Sequence, residues 1–198
     1  MKETKADRTK AFILEKVSPI FNAQGFAGTS LTDVLNATEL TKGSVYGNFE
    51  NKEDLAQKAF SYNLMQVLKP LQEKIAEHSS SIKKLKAITD FYRTYYGVMM
   101  ELGGCPILNV VTDAKKINEP LYNEAVGAAQ IMISNLEEII ELGISQKKFK
   151  KKINSRELAL VIYGMIQGAV FLSSVEQTTR PLQLMADQVD EVIKSNRK

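Results

Sequence analysis

The sequence predicts an all-α protein of about nine helices, with an N-terminal three-helix helix-turn-helix head over residues 1–52 and a larger helical body over 53–198. Three observations predict this. Apolar residues recur at three- and four-residue spacing through most of the chain. Capping residues stand at the starts of these stretches, among them Ser30, Thr41 and Asn51. Polar or glycine breaks, at His78–Ser81 and at Gly103-Gly104, divide the body into helix-length pieces.

Helix 1 is expected over residues 4–23, on a stripe of Ile13, Val17, Ile20 and Phe21. Pro19 falls inside it and predicts a kink near Glu15–Ser18, because it removes a backbone donor and crowds Glu15. Gly25 is expected as the left-handed residue that ends the helix, and Phe26 as an anchor in the head core. Next comes TSLTDVLNATELTKGSVYGNFENK, residues 29–52. Ser30 and Asp33 fit a capping box, and Leu31, Val34 and Leu35 share one face. That short helix should end near Thr38-Glu39, with Leu40 as an apolar plug. A second short helix follows from Lys42 to Asn48, with Thr41 as its cap and Val45 and Phe49 facing inward.

Two short helices about a tight turn make a helix-turn-helix pattern. The outward face is small, polar and cationic, which suits a DNA major groove. Gly43, Ser44 and Gly47 let the backbone approach, Asn48 matches adenine, and Lys42 reaches guanine or phosphate. Thr29, Ser30, Thr41, Tyr46 and Lys52 complete the set as phosphate-side partners and cap. The competing reading is a plain helical hairpin with a solvated face.

At these residues the chain resembles the tetracycline-repressor-like (TetR) family. The segments that carry the resemblance are GFAGTSLTDV from Gly25 and LTKGSVYGNFENKEDL from Leu40 to Leu55. The resemblance implies a homodimer whose paired heads read a near-palindromic double-stranded operator, with Lys42 to Phe49 entering the groove. Two positions depart from the family. Gly47 stands where a ring is common, which removes a base contact. Glu39 stands where a turn glycine is usual; a non-glycine in a left-handed turn costs about 1 kcal/mol, so a slightly different turn is expected there.

Helix 4, from Asn51, carries two apolar lines: Leu55, Ala59 and Tyr62, then Leu64, Leu68, Leu71 and Ile75. It is expected to run from head to body with a kink at Pro70. Helix 5 is expected over about 81–101. Its aromatic, hydroxyl-dotted stretch, with Phe91, Tyr92, Tyr95 and Met99, suits an apolar ligand pocket, although ordinary core explains any single one of these residues. The following Gly-Cys-Pro-x-x-Asn segment also resembles the family at this place. That resemblance implies that Cys105, Asn109 and Thr112 border an effector pocket.

Pro120 to Leu142 reads as another helix, closed by Gly143. The run KKFKKK at 147–152 reads as a solvated loop between helices, with a nucleic-acid or anionic-lipid patch as the alternative. Ser155 is expected to cap a wide apolar helix over about 155–175, and Pro181 to start the last one, 181–195. Together these two are more apolar than one monomer needs and predict a four-helix dimer interface.

Composition narrows the function. No long run is wholly apolar, so no membrane span is expected, and the N-terminal MKETKADRTK lacks a signal-peptide core. One cysteine excludes an internal disulfide and fits a reducing cytoplasm. No metal cluster, phosphate loop or Ser/His/Asp set is present, so neither cofactor, metal nor catalytic residue is assigned. Net charge is only +3, and residues 1–60 hold equal numbers of basic and acidic groups, so DNA affinity must come from the placement of Lys2, Lys5, Arg8, Lys42 and Lys52. The function these readings favour is a ligand-responsive dimeric repressor, released from its operator by a small apolar or aromatic effector. The alternatives are an activator or an effector-independent DNA binder, with an enzyme a distant third.

Overall fold

A computed structural model describes residues 4–198 of the chain; Lys2, expected to lie near phosphates, falls outside the described residues. Ten α-helices and one 3-10 turn are found among the described residues. In chain order they are α1 (Lys5–Gly28), α2 (Leu31–Thr38), α3 (Lys42–Tyr46), α4 (Lys52–Ala76), α5 (Ser81–Arg93), α6 (Tyr95–Glu101), α7 (Pro106–Asp113), α8 (Glu119–Ser145), α9 (Ser155–Glu176) and α10 (Arg180–Ser195). The fold is all-α with a helix-turn-helix at its N-terminus, as the apolar periodicity predicts.

The helices form two compact units. Met1–Gln66 with Met100–Val126 make the first, and Val67–Met99 with Gly127–Lys198 the second. The expected head covers residues 1–52, whereas the first unit also takes in the start of α4, all of α7 and the start of α8.

In the first unit, Ile13, Val17 and Phe21 of α1 are buried with Val34, Val45, Phe49, Leu55 and Ala59. These are the residues whose spacing marked the inner faces. Burying a side chain of this size is worth roughly 1.5–3 kcal/mol, far more than propensity contributes in helices as short as α2 and α3. Three caps form as expected. Ser30 Oγ accepts the Asp33 N–H at 3.1 Å and Asp33 returns the bond. Thr41 Oγ1 accepts from Ser44 N–H at 3.2 Å, and Asn51 Oδ1 from Asp54 N–H at 2.8 Å.

Several expectations are corrected. Pro19 lies inside α1, but the residue that leaves helical backbone there is Gly25, at φ 74°. Glu39 takes the left-handed conformation itself, at φ 56°, so the turn keeps its usual shape with a non-glycine residue in it. α3 ends at Tyr46 instead of Asn48, because the Asn48 N–H bonds to the Val45 carbonyl three residues back, at 3.0 Å, while its side chain takes the Ser44 carbonyl.

In the second unit the expected helix 5 is broken at Thr94, where the backbone leaves the helix at φ −112°. The Arg93 carbonyl accepts the Thr179 hydroxyl at 3.2 Å, and Thr94 Oγ1 donates to the Phe91 carbonyl. Side-chain hydroxyls thus compete with the helical ladder, and one predicted helix becomes α5 and α6. Gly143 does not close α8; it is buried within it, and the helix runs on to Ser145, with Lys147 left-handed beyond it. Asn154, one residue before the expected cap, accepts from Glu157 N–H, while the Ser155 hydroxyl donates to Glu141.

α9 is long and apolar enough by composition to cross a membrane, with mean hydropathy 1.9 over its richest window, contrary to the expectation that no segment is. Its apolar residues divide between a buried side, with Leu158, Ile162, Ile166 and Val170, and an exposed side. The core helix of a soluble protein can be equally long and apolar. α10 packs on both α9 and α5. Arg93 on α5 donates to Asp187 at 2.7 Å and Asp190 at 2.8 Å, and Lys86 reaches Asp190 at 3.0 Å.

Candidate nucleic-acid interface

α3 presents one continuous polar surface. Thr41, Lys42, Gly43, Ser44 and Gly47 are exposed, while Tyr46 and Asn48 are half-buried at its edge and Val45 faces the core. This follows from the five-residue length of α3: Val45 and, just beyond, Phe49 take the inner positions, which leaves Thr41 to Ser44 and Gly47 outward and Tyr46 and Asn48 at the edge. A Cβ on Gly43 would meet nothing closer than Thr41 Oγ1 at 4.0 Å, so this stretch of backbone is open to close approach.

Local bonds preorganise the surface. Thr41 and Ser44 hydroxyls pair at 3.0 Å, and Asn48 Nδ2 donates to the Ser44 carbonyl at 2.8 Å. The Asn48 amide, just beyond α3, is therefore engaged with the carbonyl of Ser44 and must exchange that bond to meet a base. Ser30 is exposed at the start of α2, but its hydroxyl is bound to Asp33, whose carboxyl lies below its ordinary value through the Ser30 side-chain and backbone hydrogen bonds. Thr29 is fully buried, and its hydroxyl donates to the Gly25 carbonyl at 2.8 Å. That bond withdraws the Thr29 side chain from the exposed face. The Lys52 ammonium sits 4.6 Å from the centre of the half-buried Phe26 ring, an arrangement that fixes a cation beside the head.

The first unit also holds a joint between α1 and α7 that the sequence reading did not identify. Asn22 on α1 donates to the carbonyls of Leu102 and Gly104, at 2.7 and 2.9 Å. Asn109 on α7 donates to the Asn22 carbonyl at 2.9 Å. Asp113, at the end of α7, accepts the Phe26 N–H at 2.9 Å. These partners lie 80 to 87 residues apart, and no periodicity or spacing signals them. A polar groove of about 250 Å³ runs beside the joint, lined by Asn22, Gln24, Asn109, Thr112 and Asp113 among others.

Each unit receives part of the expected effector set. In the second, Phe91, Tyr92 and Tyr95 are buried as a ring cluster with centroids 5.4–5.7 Å apart, and Met99 is fully buried. Tyr92 also lines a narrow apolar cleft with Leu71, Ile75, Ile88, Leu136 and Ile166, of only about 40 Å³. In the first, Cys105 precedes α7 and is buried, which pushes its thiol up from the ordinary value despite opposing hydrogen bonds from Leu108 and Ile107. Asn109 serves the joint, and the exposed Thr112 hydroxyl bonds back to its own helix. Among the described residues no group of three or more His, Cys, Asp or Glu is placed to hold a metal ion.

Comparison with known proteins agrees with this geometry. Residues 13–59 match the family model for bacterial regulatory proteins of the tetR family, and residues 81–189 match the tetracyclin repressor-like C-terminal domain. The crystal structure of a TetR-family transcriptional regulator from Cytophaga hutchinsonii is similar at TM-score 0.91 and 34% identity, over 100% of this chain and 98% of that one. An uncharacterized HTH-type transcriptional regulator of Bacillus subtilis, YxaF, is 26% identical over 92% of this chain and 93% of its own length. The HTH-type transcriptional repressor DhaR of a Mycobacterium species is 22% identical over 91% of this chain and 90% of its own.

Proposed function

The chain belongs to the tetR family of bacterial regulatory proteins, and from that premise we propose that it is a dimeric, cytoplasmic repressor released from its operator by a small apolar or aromatic effector. The observation that carries the DNA reading is the exposed, acid-free surface of α3, from Thr41 to Asn48, held out by the burial of Val45 and Phe49. In this reading Lys42 and Asn48 reach base edges in the major groove, and Gly43, Ser44 and Gly47 allow close approach. Thr41 caps α3, and Ser30, Tyr46 and Lys52 meet phosphates. Residues 1–52 are the DNA-binding part and 53–198 the effector and dimerisation part.

One short helix reads too few bases for an operator, so two heads about 34 Å apart are required. The surface for pairing is the outer side of α9 with α10. Leu160, Val161, Phe171, Leu172, Val175 and Leu184 are each about half exposed or more. Gly164 and Gly168 have open space where a Cβ would stand, which suits close packing of a second copy.

The effector reading rests on Phe91, Tyr92, Tyr95 and Met99 of the second unit; Cys105, Asn109 and Thr112, expected as further contacts, belong to the first unit and do not line the cleft beside Tyr92. The cleft beside Tyr92 is far smaller than the several hundred Å³ that a ligand of drug size fills. A ligand must therefore favour a more open body, and it shifts the protein only by its preference for that state.

The test is fluorescence anisotropy with DNA from upstream of the protein's own gene, in excess random DNA, for wild type and a Lys42→Ala/Tyr46→Ala variant. Competitor-resistant binding by wild type that the variant loses supports the reading. Equal binding by both assigns α2 and α3 to a plain helical hairpin.

A further inference from the structure

The run KKFKKK is not a free loop. Phe149 is buried and forms an antiparallel bridge with Arg197. Lys150 N–H donates to the Asn196 carbonyl at 3.1 Å, and Lys198 N–H to the Lys148 carbonyl at 3.0 Å. Lys150 Nζ adds a bond to the Ser195 carbonyl at 2.7 Å. Two segments far apart in sequence are thereby stapled into one platform. It carries Lys147, Lys148, Lys150, Lys151, Lys152, Lys194, Arg197 and Lys198, all exposed. Glu191, 3.3 Å from Lys194, is the acid paired there, and Asp190 nearby is held by Arg93 and Lys86.

The whole chain has 26 Lys/Arg against 23 Asp/Glu, so these eight cations leave the remainder more acidic than basic. Gathering like charges on an ordered surface is unfavourable unless an anion shares it. The cations are nearly all lysines, flexible point charges without the fork that reads a particular carboxylate or base. None of the exposed large apolar side chains lies among them, so the platform has nothing to insert into a bilayer. Residues 1–60, by contrast, hold as many acids as bases, which leaves the DNA-reading head little long-range attraction of its own.

We propose that this platform binds the phosphate backbone of duplex DNA without regard to sequence, as a second DNA contact that holds the protein near DNA while α3 searches. The proposal rests on the DNA-binding function above and places a separate part of that function in the body.

The experiment uses full-length protein and random-sequence duplex, measured over a range of salt. One variant carries Lys148→Gln, Lys151→Gln, Lys152→Gln and Arg197→Gln; it keeps Lys150, which bonds Ser195, and Lys194, which pairs with Glu191. Circular dichroism melting verifies that it folds as wild type does. The head variant Lys42→Ala/Tyr46→Ala runs beside it. Removing four phosphate contacts should make the log-affinity against log-salt slope shallower by about 3–4 and weaken binding at about 100 mM salt by about tenfold or more. Competitor-resistant operator preference should survive in the four-site variant and be lost in the head variant. An unchanged slope overturns the proposal. So does an unchanged slope together with loss of binding to phosphatidylglycerol vesicles, which assigns the platform to a membrane surface. If wild type shows no operator preference yet the slopes differ, the reading of α3 fails and the platform stands.

Discussion

Asp113 accepts the Phe26 N–H at 2.9 Å, and its carboxylate fills the ground over Gly25, where a Cβ would stand 2.5 Å from Oδ2. One contact thus ties the end of α7 to the point where α1 gives way to α2. Gly25 is required twice, by its φ of 74° and by the carboxylate above it. Gly25→Ala should destabilise the protein by about 2 kcal/mol or more. Asp113→Ala should cost about 1–3 kcal/mol by leaving an N–H without its acceptor. The double variant should cost less than the sum, since removing Asp113 removes the clash. Urea unfolding of the four proteins checks this, and strict additivity would show that the two positions act separately.

Glu39 holds a left-handed backbone between α2 and α3 at φ 56°. Glu39→Gly should relieve that strain and raise stability by about 0.5–1 kcal/mol, after the entropy glycine adds to the unfolded chain. Thermal melting is the readout; a lower melting temperature for the glycine variant would mean that the Glu39 side chain stabilises the turn.

The Arg93–Asp190 bond predicts a pH dependence. Burial opposes the charge on Asp190, but hydrogen bonds from Arg93, Lys86 and Thr89 outweigh it and hold the carboxyl below its ordinary 3.8. A carboxyl depressed in the folded state contributes stability above its unfolded value and loses it as pH falls through the folded one. Asp190→Asn should therefore cost about 0.5–1 kcal/mol at neutral pH, a modest figure because the cluster is partly solvated. The deficit should shrink below about pH 4. Urea midpoints of both proteins across that range give the answer; a constant deficit would show that the carboxylate charge is not what matters.

Cys105 is buried, and burial pushes its thiol up. Since the thiolate is the reactive form, a disulfide reagent at about pH 8 should label the native protein very slowly and the denatured protein fully. Cys105→Ala should leave operator binding intact. Rapid native labelling would mean that this part of the body opens readily.

Local features of the sequence carried over into the structure, and long-range ones did not. The caps at Ser30, Thr41 and Asn51 and the inward faces of Val45 and Phe49 depend on neighbours within four residues, so composition and spacing reveal them. The split at Thr94 depends on a hydroxyl from Thr179, eighty-six residues away. The Asn22–Asn109 joint and the stapling of Lys148 and Lys150 to the C-terminal turn are pairings between distant segments. Periodicity measures which face of a helix is apolar, not what meets it, and so KKFKKK reads as a solvated loop until Arg197 is seen beside Phe149.

The most direct test of the central claim, that α3 reads DNA as one of a pair of heads, is selection from a random duplex library with wild type and Lys42→Ala/Tyr46→Ala proteins in parallel. Wild type should enrich one near-palindromic sequence, with half-sites about one helical turn apart or a multiple of it, and the variant should enrich none. Enrichment of the same sequence by both proteins, or of no sequence by wild type, would contradict it.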